Sequence, residues 1–211
     1  MKGIILAAAL ALMFAPLPAS ADTPLDSLEL DPGRMTIDCS TSLVKPPAGL
    51  QVECGTYPST SDITDVESKC VNPRYDIRGL AGQPSLYVFA RIRGTSHVRY
   101  CGVWLPQNAR NNIVTSTKKY KPFVHDDATN WSSKPIELKH RGVALLFDSP
   151  NKERDGKCVA FIQPGPSLGY AGGRAYTRYY YIRGWVCTPP GQTLDKAAAI
   201  DLIKSFKVAV R

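Results

Sequence analysis

The chain has 211 residues, a formal net charge of +8 from 26 Lys and Arg against 18 Asp and Glu, and a hydrophobic share of 44%. That share excludes a disordered or collagen-like chain, and the length suits one domain with a substantial core. The positive excess is diffuse, which argues for solubility or attraction to acidic surfaces rather than dedicated nucleic-acid binding.

Residues 1–21 read as a secretory leader: Lys2 gives a positive start, residues 4–14 an apolar core, and Ala19-Ser20-Ala21 a small-residue cleavage site. Pro16 and Pro18 interrupt the apolar run too early for a membrane span, and no second long apolar run follows. The mature chain is expected to begin at Asp22, without a transmembrane segment, in the periplasm or outside the cell. All six cysteines, Cys39, Cys54, Cys70, Cys101, Cys158 and Cys187, lie beyond the leader, and an even number in an oxidising compartment predicts disulfides. Local strand order favours Cys39 with Cys54, Cys70 with Cys101, and Cys158 with Cys187. Each would close a loop whose lost chain entropy stabilises the fold by about 3 to 4 kcal/mol.

Along the mature chain, residues 22–34 carry prolines, Gly33 and acids without periodicity, so an irregular entry segment precedes a single domain over 35–211. Residues 35–39 and 50–54 predict two strands of a hairpin bridged by Cys39 and Cys54. Between them, Pro46, Pro47 and Gly49 predict irregular structure over 43–49. Residues 61–70 open with cap-like Ser and Asp and predict a short helical turn.

Leu86, Val88, Ala90 and Ile92 alternate with Tyr87, Phe89, Arg91 and Arg93, which predicts a strand with an apolar and a partly basic face. A turn at 94–96 then predicts a hairpin partner over 97–105. A further hairpin is expected from 136–139 through His140-Arg141-Gly142 into 143–148, where Val143 to Phe147 suits a strand covered on both faces. Strands over 157–163 and 175–187 follow, separated by a Gly- and Pro-rich loop. The chain closes with Leu194, Ala198, Ala199, Leu202, Ile203 and Phe206 at helical spacing after a Thr193 cap. Hairpins followed by one amphipathic helix predict an α+β fold: a mostly antiparallel, disulfide-stabilised sheet covered on one side by that helix. The closing strand, loop and helix, ending Lys204-Ser205-Phe206-Lys207, is similar to the tails of several small exported α+β proteins, including the PsbP-like and Mog1-like group. The six cysteines depart from that group, and the resemblance carries no function.

Residues 176–185 hold the densest chemistry. Period-2 geometry sets Tyr179, Tyr181, Arg183 and Trp185 on one face, and Tyr176, Arg178, Tyr180 and Ile182 on the other. Aromatic rings interleaved with Arg stack on sugars or bases and pair with anions. The same residues also favour strands for packing reasons alone. Tyr176, Arg178, Tyr179, Tyr181, Arg183 and Trp185 are therefore the candidate binding residues.

His125 beside Asp126 and Asp127 is the candidate catalytic cluster, although neighbouring loop residues seldom point at one another and turn chemistry uses the same residues. Lys118-Lys119-Tyr120-Lys121 reads as a solvated basic loop. With no C-x-x-C pair, and His97, His125 and His140 all lacking a His or Cys at helical ligand spacing, no metal or cofactor is expected. No G-x-S-x-G elbow and no phosphate-binding loop is present. The sequence thus points to an exported, non-enzymatic binding protein whose partner is an anionic envelope component or another protein. The alternatives are a hydrolase using His125 with Asp126 or Asp127, and an inhibitor or immunity protein for another exported protein.

Overall fold

Alternation of apolar and polar residues favours strands, and the longer strands among the described residues follow it. The computed structural model describes residues 33–57, 72–80, 82–94, 103–104, 113–115, 117, 130–149, 151–167 and 177–210. The strands are β1 (Met35–Ile37), β2 (Val44–Lys45), β3 (Val52–Tyr57), β4 (Arg74–Gly79), β5 (Leu86–Ile92), β6 (Val103–Trp104), β7 (Ile136–Glu137), β8 (Val143–Asp148), β9 (Lys157–Pro164), β10 (Thr177–Arg178), β11 (Tyr180–Cys187) and β12 (Lys207–Val208). The helix α1 (Lys196–Ser205) precedes β12. Eight strands form one antiparallel sheet in the order β1-β3-β4-β5-β11-β9-β8-β7, and two small pairs, β10 with β6 and β12 with β2, stand apart. The fold is α+β-like and mostly antiparallel, as the patterning predicts.

Side-chain parity across the registers gives the sheet two faces. On one, Ile77, Val88, Ala90, Ile182, Val159, Phe161 and Ala144 pack against Ala199, Leu202, Ile203 and Phe206 of the helix end of the chain. Asp195 caps α1, accepting a hydrogen bond from the Ala198 amide at 2.7 Å, so the cap lies two residues beyond the expected Thr193. The other face is not bare. Tyr87, Val143, Phe147, Ala160, Ile162 and Trp185 form a second core, with Trp131 stacked on Phe147 at 4.4 Å between ring centroids. A sheet covered on one side is thus corrected to one buried on both sides over β8, β9 and β11, whose near-continuous apolar sequence matches that burial.

Several local expectations also change. Both edges of β5 are taken, by β4 and β11, so the partner expected over 97–105 does not pair with it; Val103–Trp104 pairs instead with Thr177–Arg178. Val44–Lys45, expected to be irregular, pairs with Lys207–Val208 and buries Val44 completely. The strand expected over 175–187 breaks at Tyr179 into β10 and β11. Nothing was expected of β4, which becomes the third strand of the sheet. The hairpin through His140 and Arg141 forms as expected between β7 and β8.

Cys39 is bonded to Cys54, and Cys158 to Cys187 directly across the β9–β11 ladder. Cys70, Cys101 and the turn expected over 61–70 lie outside the described residues. Gly184 faces Val88 across the β11–β5 ladder, where a Cβ would stand 1.9 Å from the Tyr87 carbonyl oxygen. Only glycine lets the two central strands approach this closely.

Candidate binding face

The sheet face opposite the helix collects charge and aromatic rings in three transverse rows, each set by register. Tyr57, Arg74, Arg91 and Tyr181 stand side by side at one end of β3, β4, β5 and β11. One step inward come Gly55, Asp76, Phe89 and Arg183. The third row is Glu53, Arg78, Tyr87 and Trp185, which merges with the second core. Along β11 burial rises in that order: Tyr181 and Arg183 are partly exposed, whereas Trp185 is 2% exposed.

Asp76 anchors the middle of the face. Its carboxylate is wholly buried and accepts hydrogen bonds from Arg34 Nε at 3.0 Å, Arg78 Nε at 2.6 Å and the Tyr57 hydroxyl at 2.9 Å. Arg34 Nη1 in turn donates to Glu53 at 2.5 Å. Two arginines thus neutralise two carboxylates, which is what allows charge to be buried there at all. The space comes from Gly55, whose missing Cβ would lie 2.3 Å from Asp76 Oδ1 and 2.5 Å from Arg34 Nε. Burial is the largest influence on Arg34 and on Arg78 and works against their charge, but the charge and hydrogen bonds of Asp76 hold both above the usual guanidinium value. Burial, followed by the charge of Asp76, pushes the Tyr57 phenol up to about 12.

Beside this network stand further arginines. The Arg183 guanidinium lies over the Phe89 ring at 5.2 Å, and Phe89 touches Tyr57 and Tyr181 at centroid distances of 6.1 and 6.4 Å. Arg74 and Arg91 are register partners across the β4–β5 ladder. Among the described residues, the carboxylates of this face are Asp76 and Glu53, and both are engaged by arginines.

The structure brings together Tyr181, Arg183 and Trp185 of the sequence candidates, with Trp185 serving the core. Arg178 is drawn into the β10–β6 pair, and Tyr179 sits at the bend with the Arg93 guanidinium 5.6 Å above its ring. Tyr176, His125, Asp126, Asp127 and the basic stretch from Lys118 lie outside the described residues. Sequence reasoning missed Arg74, Asp76 and Arg78, although their alternation with Tyr75 and Ile77 carries the strand period. It also missed Arg34 and Tyr57, which nothing local in the sequence joins to Asp76.

No family model matches the chain, and no curated protein or solved structure resembles it significantly. The similarity of its tail to PsbP-like proteins gains no support from them. Among the described residues, no group of three or more His, Cys, Asp and Glu is placed to hold a metal. What the face can do chemically is hold an anion: planar guanidiniums give paired donors for a carboxylate or phosphate, and the rings beside them give an apolar platform.

Proposed function

We propose that the protein is an exported, non-enzymatic binding protein that recognises an anionic component of the cell envelope through the β4, β5 and β11 face. The observation that carries this reading is the grouping of Arg74, Arg91 and Arg183 with Phe89 and Tyr181 on one face of the sheet. The two described disulfides support an oxidising destination, since such bonds persist outside the reducing cytosol. Export itself rests on the leader over 1–21.

The experiment is sedimentation of purified protein with isolated envelope material across a salt series. Replacing Arg74, Arg91 and Arg183 together with Gln should weaken retention about tenfold or more and flatten its salt dependence, because each removed cation takes away screened attraction. Arg183→Lys alone keeps the charge, loses the paired donors, and should have a smaller effect. Retention unchanged in the triple variant, with an unaltered melting transition, would sink the proposal. No observation on the described residues favours the hydrolase reading.

A further inference from the structure

The registers place the ends of β3, β5 and β9 and the starts of β4, β11 and β8 at the same end of the sheet. That end carries Arg74, Arg91, Arg93 and Arg178 together with Lys139 and Arg141 of the hairpin tip. Among the described residues, its carboxylate is Glu137. The opposite end is mixed in sign, with Asp148, Glu153 and Asp155 among Lys152, Arg154 and Lys157. Hydrogen bonds tie the strand ends that carry these cations together: the Arg93 amide donates to Tyr179 O at 2.7 Å, the Tyr179 amide to Pro166 O at 3.2 Å, and Gln163 Nε2 to Lys139 O at 2.7 Å.

The tip is built against local preference. His140 (φ 54°) and Arg141 (φ 66°) both occupy the left-handed region, closed by a 2.9 Å bond from the Gly142 amide to Lys139 O. Turns of this kind take Asn-Gly for steric reasons. Here the strained positions carry His and Arg instead, and Lys139, His140 and Arg141 are all exposed.

We infer that this end of the sheet docks on an anionic lipid surface, with Arg93, Lys139 and Arg141 meeting the headgroups and Tyr179 seated among them. The inference rests on the envelope-binding reading and names the chemistry of the partner. Strand spacing separates Arg93 from the hairpin tip by about 14 Å, three inter-strand steps, so no single small anion bridges them, whereas an array of headgroups does. Tyrosine beside arginine is the pairing that suits the boundary between headgroup and water.

The test is binding of the full mature protein to vesicles of phosphatidylglycerol in phosphatidylcholine, against phosphatidylcholine alone. Wild type should bind the anionic vesicles and not the neutral ones. The variant Arg93→Gln/Lys139→Gln/Arg141→Gln should bind about 100-fold more weakly, on the usual contribution of each cation near such a surface. A charge-matched control, Lys152→Gln/Lys196→Gln/Lys204→Gln, removes three exposed cations elsewhere and should bind as wild type. Equal losses in the two variants, or wild-type binding by the rim variant, would overturn the inference. Envelope retention that requires Arg183 but persists without vesicle binding would overturn it too, while leaving the envelope reading in place. Vesicle binding that is lost in the rim variant but kept without Arg74, Arg91 and Arg183 would uphold the rim and remove the proposed face.

Discussion

At Asp76 one carboxylate holds two buried cations and a phenol in place, so its removal matters more than its own interactions suggest. Asp76→Asn keeps the shape but strands Arg78 without countercharge and leaves Arg34 with Glu53 alone, which should cost about 3 to 5 kcal/mol in urea unfolding. Gly55→Ala should act on the same network by steric means, forcing Asp76 and Arg34 aside, at about 1 to 3 kcal/mol. Tyr57 supplies a pH signature. Its phenol is raised from 10.0 to about 12 in the folded protein, so the stability it contributes is complete below pH 10 and is lost as pH climbs from there to about 12. Ultraviolet titration of Tyr57→Phe should lose a late-ionising component that the wild type shows, and the variant's stability should fall less steeply over that interval. At the hairpin tip the expected sign is reversed. Replacing His140-Arg141 with Asn-Gly relieves two left-handed non-glycine residues and should raise the melting temperature, adding about 1 kcal/mol or more, while weakening attachment to anionic vesicles.

Strands whose apolar period is undisturbed were legible from sequence alone. β5, β8, β9 and most of β11 follow it, as does the stripe of α1, and the two described disulfides join the cysteines that strand order suggested. What the sequence hid are elements whose partners are distant. β4 alternates Arg, Asp and Arg with Tyr and Ile, and its charges look solvated until Arg34 and Tyr57 arrive from elsewhere. β2 is two residues beside prolines and exists because β12 closes over it after the helix. The aromatic and basic composition of the face was visible in β11, but its depth was not, because Phe89, Arg91 and Arg74 join Arg183 only once the strand order β4-β5-β11 is known. That order depends on the close approach at Gly184. Gly184→Ala would drive a methyl into the backbone of Tyr87 rather than into a movable side chain, so it should destabilise by about 3 kcal/mol or more and shift amides on both β5 and β11.

Among the described residues, the Cys158–Cys187 bond and the exposed cations of the hairpin tip stand at opposite ends of the sheet. The Cys158–Cys187 bond lies at the end of the sheet away from the basic rim. Near it, buried Asp155 accepts hydrogen bonds from the Ser85 amide at 2.7 Å and the Ser85 and Ser149 hydroxyls at 2.7 and 2.8 Å, tying the turn before β9 to the start of β5. One end of the sheet is therefore pinned by covalent and buried polar links, and the other presents cations. This separation predicts that stability and binding respond to different substitutions. Replacing Cys158 and Cys187 together with Ala opens a loop of 29 residues and should cost about 3 to 4 kcal/mol, read as a lower midpoint in urea. At a temperature where that variant remains folded, its affinity for anionic vesicles should equal that of wild type, because the strand ends carrying Arg93, Lys139 and Arg141 lie at the far side of the same ladders. A parallel fall in affinity and stability would mean that the rim is shaped by the disulfide, and that the two ends of the sheet act as one unit.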